Sequence, residues 1–599
     1  MSANIYSARL TAAQAFLKKE GLNAYIQPSS DNHQSEYVAD KFKVRTWLSG
    51  FTGSMGIAVI TEKAGYLWAD SRYFLQAETE LSGSDWQLKK QKLQASAEHI
   101  ADLAEELPAN ARVGCDGNLF SVAEVSQIKK AFKKKNIELV TKSDLATAIW
   151  IDRPKAPVAP VFVHPEIYAG VSASEKINLV RSKIVADGAT HLIISALDEI
   201  CWLLNLRGSD VECNPVFYAY VVLDASSVHL FIDSAKLDTT VSTYLKSINV
   251  DILPYGSINS FLSELFPVTD IVEIDPSTTA FSLNHIIPQG VEIIERTSHI
   301  SQIKAVKNPV EIANTRHAML KDGVALAKAF VWFEKTLEHR TVSEYEFASM
   351  IAQYRSEQAH YYGESFDAIV GYKSNGAIVH YRPDNKNSAV IANEGMLLID
   401  SGGQYADGTT DITRTICLSA PTSEQKLHYT LVLKGHIALA TAIFLQGTRG
   451  IQLDMLARHP LWQNGLNYGH GTGHGVGFFL NVHEPPQGFA PAMGTRGTAP
   501  HELGMITSNE PGFYKEGSHG IRIENLLLCV PHAVNNFGTW YAFETLTLFP
   551  IATNLIDKSL MTTQECLWLN NYNARVYNAL SDYLTGDEKE WLKKACVSI

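Results

Sequence analysis

The chain has 599 residues, of which 46% are hydrophobic and 19% charged, so it can bury large cores and is long enough for two to four domains. Its formal net charge of −12 argues against a nucleic-acid surface, which needs a basic footprint. Seven scattered cysteines without CxxC spacing argue against a disulfide framework or a thiolate metal site, and no long apolar run reads as a signal peptide or membrane span. These features predict a reduced, cytoplasmic protein.

Residues 1–21 predict an amphipathic helix with Leu10, Phe16 and Leu17 on one side. Two similar blocks then follow. The first runs helix, Gly21, the strand LNAYI, Asp31 and Trp47. The second runs the helix KINLVRSKIVAD, Gly188, the strand HLIIS, Asp198 and Trp202. Each continues into β-rich sequence with alternating or continuous apolar character. A weak internal duplication, giving two related α/β domains, is the economical reading. The run KKAFKKK (129–135) reads as a solvated helix end. The Pro-rich stretch DRPKAPVAPVFVHP disfavours helix or central strand and reads as the linker between the two blocks.

Pro309 stands where a new helix can begin. A long helix is predicted over residues 422–444, capped by Thr422 with Gln425 as reciprocal partner, and Gly447 lies past its end. From about residue 567, Leu569, Tyr572, Val576, Leu580 and Tyr583 fall at helical spacing, and Thr585 with Glu588 forms a second capping box. This Trp- and Tyr-rich end suits a subunit or domain contact.

The chemistry lies in five residues of the C-terminal half. Asp400 and Asp411 lie in LLIDSGGQYADGTTDITRT, His474 in HGTGHGVG, Glu510 in SNEPGFY and Glu524 in GIRIENLLL. Four carboxylates and one imidazole are too much negative charge for an apolar core, and there is too little sulfur for a zinc finger. Two divalent cations would neutralise them and could hold one hydroxide between them. Asp400 ends an apolar strand and Asp411 starts the next, so a hairpin can bring both together, although turn aspartates often only cap backbone amides. The glycines around His474 make a helix improbable and would let backbone approach the metals, with His470 lining the cleft. Arg522 shares a strand face with Glu524 and could hold a ligand carboxylate, the alternative being a surface Arg–Glu pair.

With their flanking strings, these residues resemble the creatinase/methionine-aminopeptidase (pita-bread) superfamily, and within it the cytosolic three-domain Xaa-Pro aminopeptidase family. The likeness runs from SSDNHQSEYVAD through WADSRYFLQA and NLRGSDVECNPVFYAY to FETLTLFPI, nearly the whole chain. It implies an α/β (α+β) fold: two creatinase-like domains, 1–155 and 156–305, then a pita-bread catalytic domain, 306–599, with a helical extension from about 550. It also implies Asp411 and Glu524 bridging two Mn²⁺ ions, His474 and Glu510 on one and Asp400 on the other, with Zn²⁺ or Co²⁺ as alternatives. The bridging hydroxide would attack the carbonyl before proline while Glu510 manages its proton. His380 and His483 match the family's active-site histidines, and Arg72 matches a position that contacts peptide. Peptides with penultimate proline, Xaa-Pro-Yaa, are the implied substrates, and a homodimer the implied assembly.

Prolidase is the alternative within the fold, and two full N-terminal domains favour the aminopeptidase. Methionine aminopeptidase relatives lack those domains. A metal-free binding module would have lost ligands, and this chain retains all five.

Overall fold

The computed structural model describes residues 2–92 and 97–599, which divide into two compact units: 1–165 with 171–301, and 166–170 with 302–599.

The first unit contains two six-stranded sheets. One runs in the order Trp86–Lys90, Gly65–Ala69, Ile57–Thr61, Ala24–Gln27, Arg112–Gly114 and Glu138–Val140. The other runs Val250–Pro254, Val228–Ile232, Ala219–Asp224, His191–Ile194, Ile271–Ile274 and Glu292–Glu295. In both, the third and fourth strands pair antiparallel and the three on the far side pair parallel. The second, third and first strands repeat the same antiparallel and parallel sequence in each sheet. Two sheets of identical order and polarity are what the duplicated sequence pattern predicts. Leu10, Phe16 and Leu17 of the first helix, Ser2–Glu20, are buried against the first sheet's core. The basic run ends the helix Val122–Phe132 with its lysines outward and Phe132 buried. Residues 153–161 of the Pro-rich stretch carry neither helix nor strand.

Asp31 and His33 lie where the two sheets' domains meet. Asp31 Oδ2 accepts from Tyr218 Oη at 2.8 Å, and the His33 ring bonds to Ser195 O and Tyr255 Oη, each at 2.8 Å. Burial lowers the His33 pKa, so its imidazole serves this network as a neutral group.

The second unit opens with the helix Pro309–Leu337, whose cap is the Asn308–Glu311 box with Pro309 in the first turn. Its apolar face packs on a three-stranded sheet (Ile369–Tyr372, Met396–Ser401, Ile412–Cys417) and on the helix Ser423–Ala440, capped by Thr422 and Gln425 as predicted. That helix stops four residues earlier than the sequence suggests, because Ile443–Leu445 leaves it to form the edge strand of a six-stranded sheet. Gly447, at φ +86°, therefore turns the chain after a strand and not after a helix. The inner strands of this sheet are Gly538–Thr545, Asn525–Asn535, Ile506–Asn509 and Gly473–Gly475.

The C-terminal helices Thr563–Leu580 and Gly586–Ala595 bury Leu569, Tyr572, Val576, Leu580 and Leu592 in the unit's own core. Trp591 sits 5.9 Å from both Phe330 and Phe549. Most of the aromatic content read as suited to a subunit or domain contact thus completes the fold of its own unit.

Candidate metal centre

Antiparallel pairing of Met396–Ser401 with Ile412–Cys417 sets Asp400 opposite Thr413 and leaves Asp411 one residue before the second strand. The hairpin therefore presents both aspartates at one end, and both are buried. His474 enters from the strand Gly473–Gly475, whose register shifts between His474 and Gly475. Its Nε2 lies 3.4 Å from Asp411 Oδ2 and 3.6 Å from Glu510 Oε1. Its Nδ1 bonds to Gly475 O at 2.9 Å, which makes Nδ1 the protonated nitrogen and turns the Nε2 lone pair towards the carboxylates. Glu510 follows the strand Ile506–Asn509, and its N–H donates to Thr472 O at 2.8 Å. Glu524 lies between the strands His519–Arg522 and Asn525–Asn535, and its N–H donates to Thr413 O at 3.1 Å.

The glycines flanking His474 also serve the packing of the strands. A Cβ on Gly473 would meet Ser508 O at 1.8 Å, and one on Gly475 would meet Glu484 O at 2.3 Å. Glycine here allows backbone strands to approach each other, and that close packing sets the histidine.

These residues fit divalent cations. Ligand atoms of Asp411, His474 and Glu524 all lie within 4.8 Å of one another. Burial, then the charges of Asp400 and Glu510, push the Asp411 pKa well up; burial, then Asp411 and Asp400, do the same to Glu524. Such carboxylates need either protons or a cation. Asp400 Oδ1 is buried without a hydrogen-bond partner, an acceptor left for something the protein does not supply. A second group, Asp187, Glu273 and His299 in the N-terminal unit, differs. There His299 Nε2 meets Asp187 Oδ2 directly at 2.5 Å and Arg296 bonds the same oxygen, so Asp187 is already held by two protein groups, while both Glu273 oxygens are buried without a hydrogen-bond partner.

Around the centre, Arg522 is buried and bonds Asp400 Oδ2 (2.5 Å), Thr413 Oγ1 (3.1 Å) and Tyr514 Oη (2.7 Å), which excludes a surface pair with Glu524. Thr413 Oγ1 in turn donates to Glu524 Oε2 at 2.7 Å. His470 Nε2 bonds Tyr514 Oη at 2.8 Å, linking His470 through Tyr514 to Arg522. Thr413 and Tyr514 escaped the sequence reading; both stand within the quoted motif strings, one residue type too common to single out alone.

His483 is half-buried, and its ring centroid lies 4.3 Å from that of His474 at 78°. His380 is half-buried beyond the short helix Lys373–Ala377, whose Gly376 abuts Gly520, two residues before Arg522. Arg72 lies in the N-terminal unit, where Asp70 grips it by two bonds of 2.8 and 2.7 Å.

Fold and donor set define a metal-dependent hydrolase. Models of the creatinase/prolidase N-terminal domain match residues 9–148 and 152–311, that of metallopeptidase family M24 matches 313–531, and that of the C-terminal region of peptidase M24 matches 539–599. A probable Xaa-Pro aminopeptidase P of Laccaria bicolor is 41% identical over 98% of this chain and 93% of its own. Aminopeptidase P2 of Arabidopsis thaliana is 40% identical over 96% of this chain and 85% of its own. The crystal structure of the X-prolyl aminopeptidase of Caenorhabditis elegans, described as a cytosolic enzyme with a di-nuclear active site, superposes with a TM-score of 0.95 at 36% identity, covering 99% of this chain and all of its own. The chain belongs to metallopeptidase family M24, in its Xaa-Pro aminopeptidase P group.

Proposed function

We propose that the protein is an Xaa-Pro aminopeptidase, releasing the first residue from peptides whose second residue is proline. The observation that carries this reading is the meeting of buried Asp400, Asp411, His474 and Glu524 with half-buried Glu510, on a chain that matches Xaa-Pro aminopeptidases along nearly its full length. Prolidase is the weaker reading, since the Bacillus anthracis Xaa-Pro dipeptidase structure covers 63% of this chain.

Asp411 and Glu524 would be shared by two cations, with His474 and Glu510 on one and Asp400 on the other. The carboxylate-rich set favours Mn²⁺, with Zn²⁺ or Co²⁺ as alternatives. When bound, such a pair supplies Lewis acidity towards a carbonyl oxygen and makes water acidic near neutral pH. The protein's residues do the rest. Glu510, whose side chain is 19% exposed against 11% for Asp400 and 5% for Asp411, would take and return a proton. His483, against His474, and His380 would bind the peptide and donate to the oxygen that gains charge. His470, held by Tyr514, lines the cleft. Arg522 fixes Asp400. Arg72 would contact the peptide, its guanidinium already oriented by Asp70. An Xaa-Pro bond has no N–H, so the proline ring itself becomes the recognised element.

We further propose domains at 1–155, 156–305 and 306–599, a cytoplasmic location and a homodimer. All seven cysteines are free, and no described helix is long and apolar enough to cross a membrane. For the dimer, support comes from exposed apolar groups on the hairpin and edge strand of the six-stranded sheet, Val534, Phe537 and Ile443. The test of activity is hydrolysis of Xaa-Pro-Yaa against Xaa-Ala-Yaa by the metal-loaded protein. Equal rates would contradict proline selectivity.

A further inference from the structure

Glu484 directly follows His483 and opens the strand Glu484–Phe489, where its backbone pairs with Gly475 beside His474. Its carboxylate is buried and held by two buried ammonium groups: Lys304 Nζ donates to Oε2 at 2.9 Å, and Lys307 Nζ donates to Oε1. Lys307 also donates to Lys304 O at 2.9 Å, which ties the two lysines together. Taking three charges out of water is costly. For stability alone, apolar residues of similar volume would serve as well or better. What the triad does provide is geometry. One cation on each oxygen fixes both the position and the rotation of Glu484.

The chain before His483 is held too. Gln404 Nε2 donates to Leu480 O at 2.8 Å, Thr409 Oγ1 donates to Gln404 Oε1 at 2.8 Å, and Gly477 N–H donates to Asn481 O at 3.0 Å. Between them Phe479, fully buried, adopts φ +48°, a left-handed conformation that a bulky residue keeps only where its surroundings impose it. His483 thus hangs from backbone fixed on both sides.

We propose that Lys304, Glu484 and Lys307 form a positioning clamp for His483, setting its imidazole against His474. The proposal extends the aminopeptidase reading, on which its kinetic arm rests. Glu484 does not touch the reacting atoms; it acts through its neighbour.

The test uses metal-loaded full-length protein: wild type, Glu484→Gln, His483→Ala and the double variant. Glu484→Gln is expected to keep its metal and its KM while kcat falls by about 10- to 100-fold, the scale of a small misplacement at a reacting centre. In the His483→Ala background the same change is expected to cost less than about twofold, because residues that act as a unit are not additive. A merely structural role would instead give full additivity. Independently of activity, the ¹³Cε1 resonance of His483 in histidine-labelled protein, assigned by its loss in His483→Ala, is expected to shift in Glu484→Gln. Additive losses, metal lost in step with activity, or an unmoved His483 resonance would overturn the clamp. Should Glu484→Gln fail to fold, Lys307→Met, which leaves Lys304 on the carboxylate, is read by the same cycle and resonance. A wild type that cleaves no Xaa-Pro-Yaa peptide would refute the aminopeptidase reading, while the resonance still decides the clamp.

Discussion

Arg522 donates to one oxygen of Asp400 at 2.5 Å and leaves the other buried without a hydrogen-bond partner. A guanidinium that holds one oxygen of a carboxylate orients the other, and the charge of Asp400 is near enough to raise the pKa of both Asp411 and Glu524.

The first prediction follows from that pair. Arg522→Met should weaken metal binding by about 10- to 100-fold, the usual effect of losing a group that orients a ligand. Arg522→Lys should recover little, because an ammonium cannot span Asp400, Thr413 and Tyr514 together. Titration of the apo-protein with Mn²⁺ measures both, and wild-type affinity in Arg522→Met would refute the role.

Thr413→Val is the second. It keeps the shape of the side chain but removes the donor to Glu524 and the acceptor for Arg522 Nε. Two buried bonds are lost at once, so stability should fall by about 1–3 kcal/mol in the apo-protein. The metal-loaded form should lose more, since Glu524 also loses its orientation. Chemical denaturation with and without metal compares the two.

How much of this was open to reading in the sequence depends on range. The capping box at Thr422–Gln425 is local, and the structure has it where spacing places it. The duplicated pattern around Asp31 and Asp198 is local too, and it became two sheets of the same order. The five candidate ligands could be picked out because they sit in four distinctive strings. The partners that orient them could not. Thr413 meets Glu524 across 111 positions and Lys307 meets Glu484 across 177, through strand register and helix packing that no local pattern encodes. The same holds for Gly473, whose need for glycine arises from Ser508, a strand neighbour. The C-terminal helices had a legible apolar face, but periodicity cannot say whether a face meets its own core or another surface.

The third prediction concerns acid. His501 is fully buried among Phe444, Phe489 and Phe543, with neither ring nitrogen hydrogen-bonded, and burial lowers its pKa to about 3. The folded pKa lies below the unfolded value of about 6.5, so the unfolded chain binds the proton first. The neutral ring's contribution is complete above about pH 6.5 and is lost as pH falls towards the folded value of about 3. His501→Phe should therefore flatten the loss of stability between these limits. Unfolding midpoints of both proteins across that range provide the check, and parallel curves would contradict it.

Asp454→Ala is the fourth. Asp454 pairs with Arg458 at 2.6 Å and accepts from Thr472 at 2.6 Å, while Arg458 holds the carbonyls of Tyr468 and His470. Removing the carboxylate strands a buried cation beneath the His470–His474 loop and should cost about 3–5 kcal/mol. Asp454→Asn, which keeps the acceptor oxygen, should cost less, and thermal unfolding ranks the two.

The central claim is that Asp411 and Glu524 serve two cations at a proline-specific peptidase centre. The most direct measurement is metal content and Xaa-Pro-Yaa hydrolysis on the same samples of wild type and Asp411→Asn. Two cations per wild-type chain, with metal and activity falling together in the variant, is the predicted result. Full activity in Asp411→Asn, or in wild type stripped of metal, would contradict it.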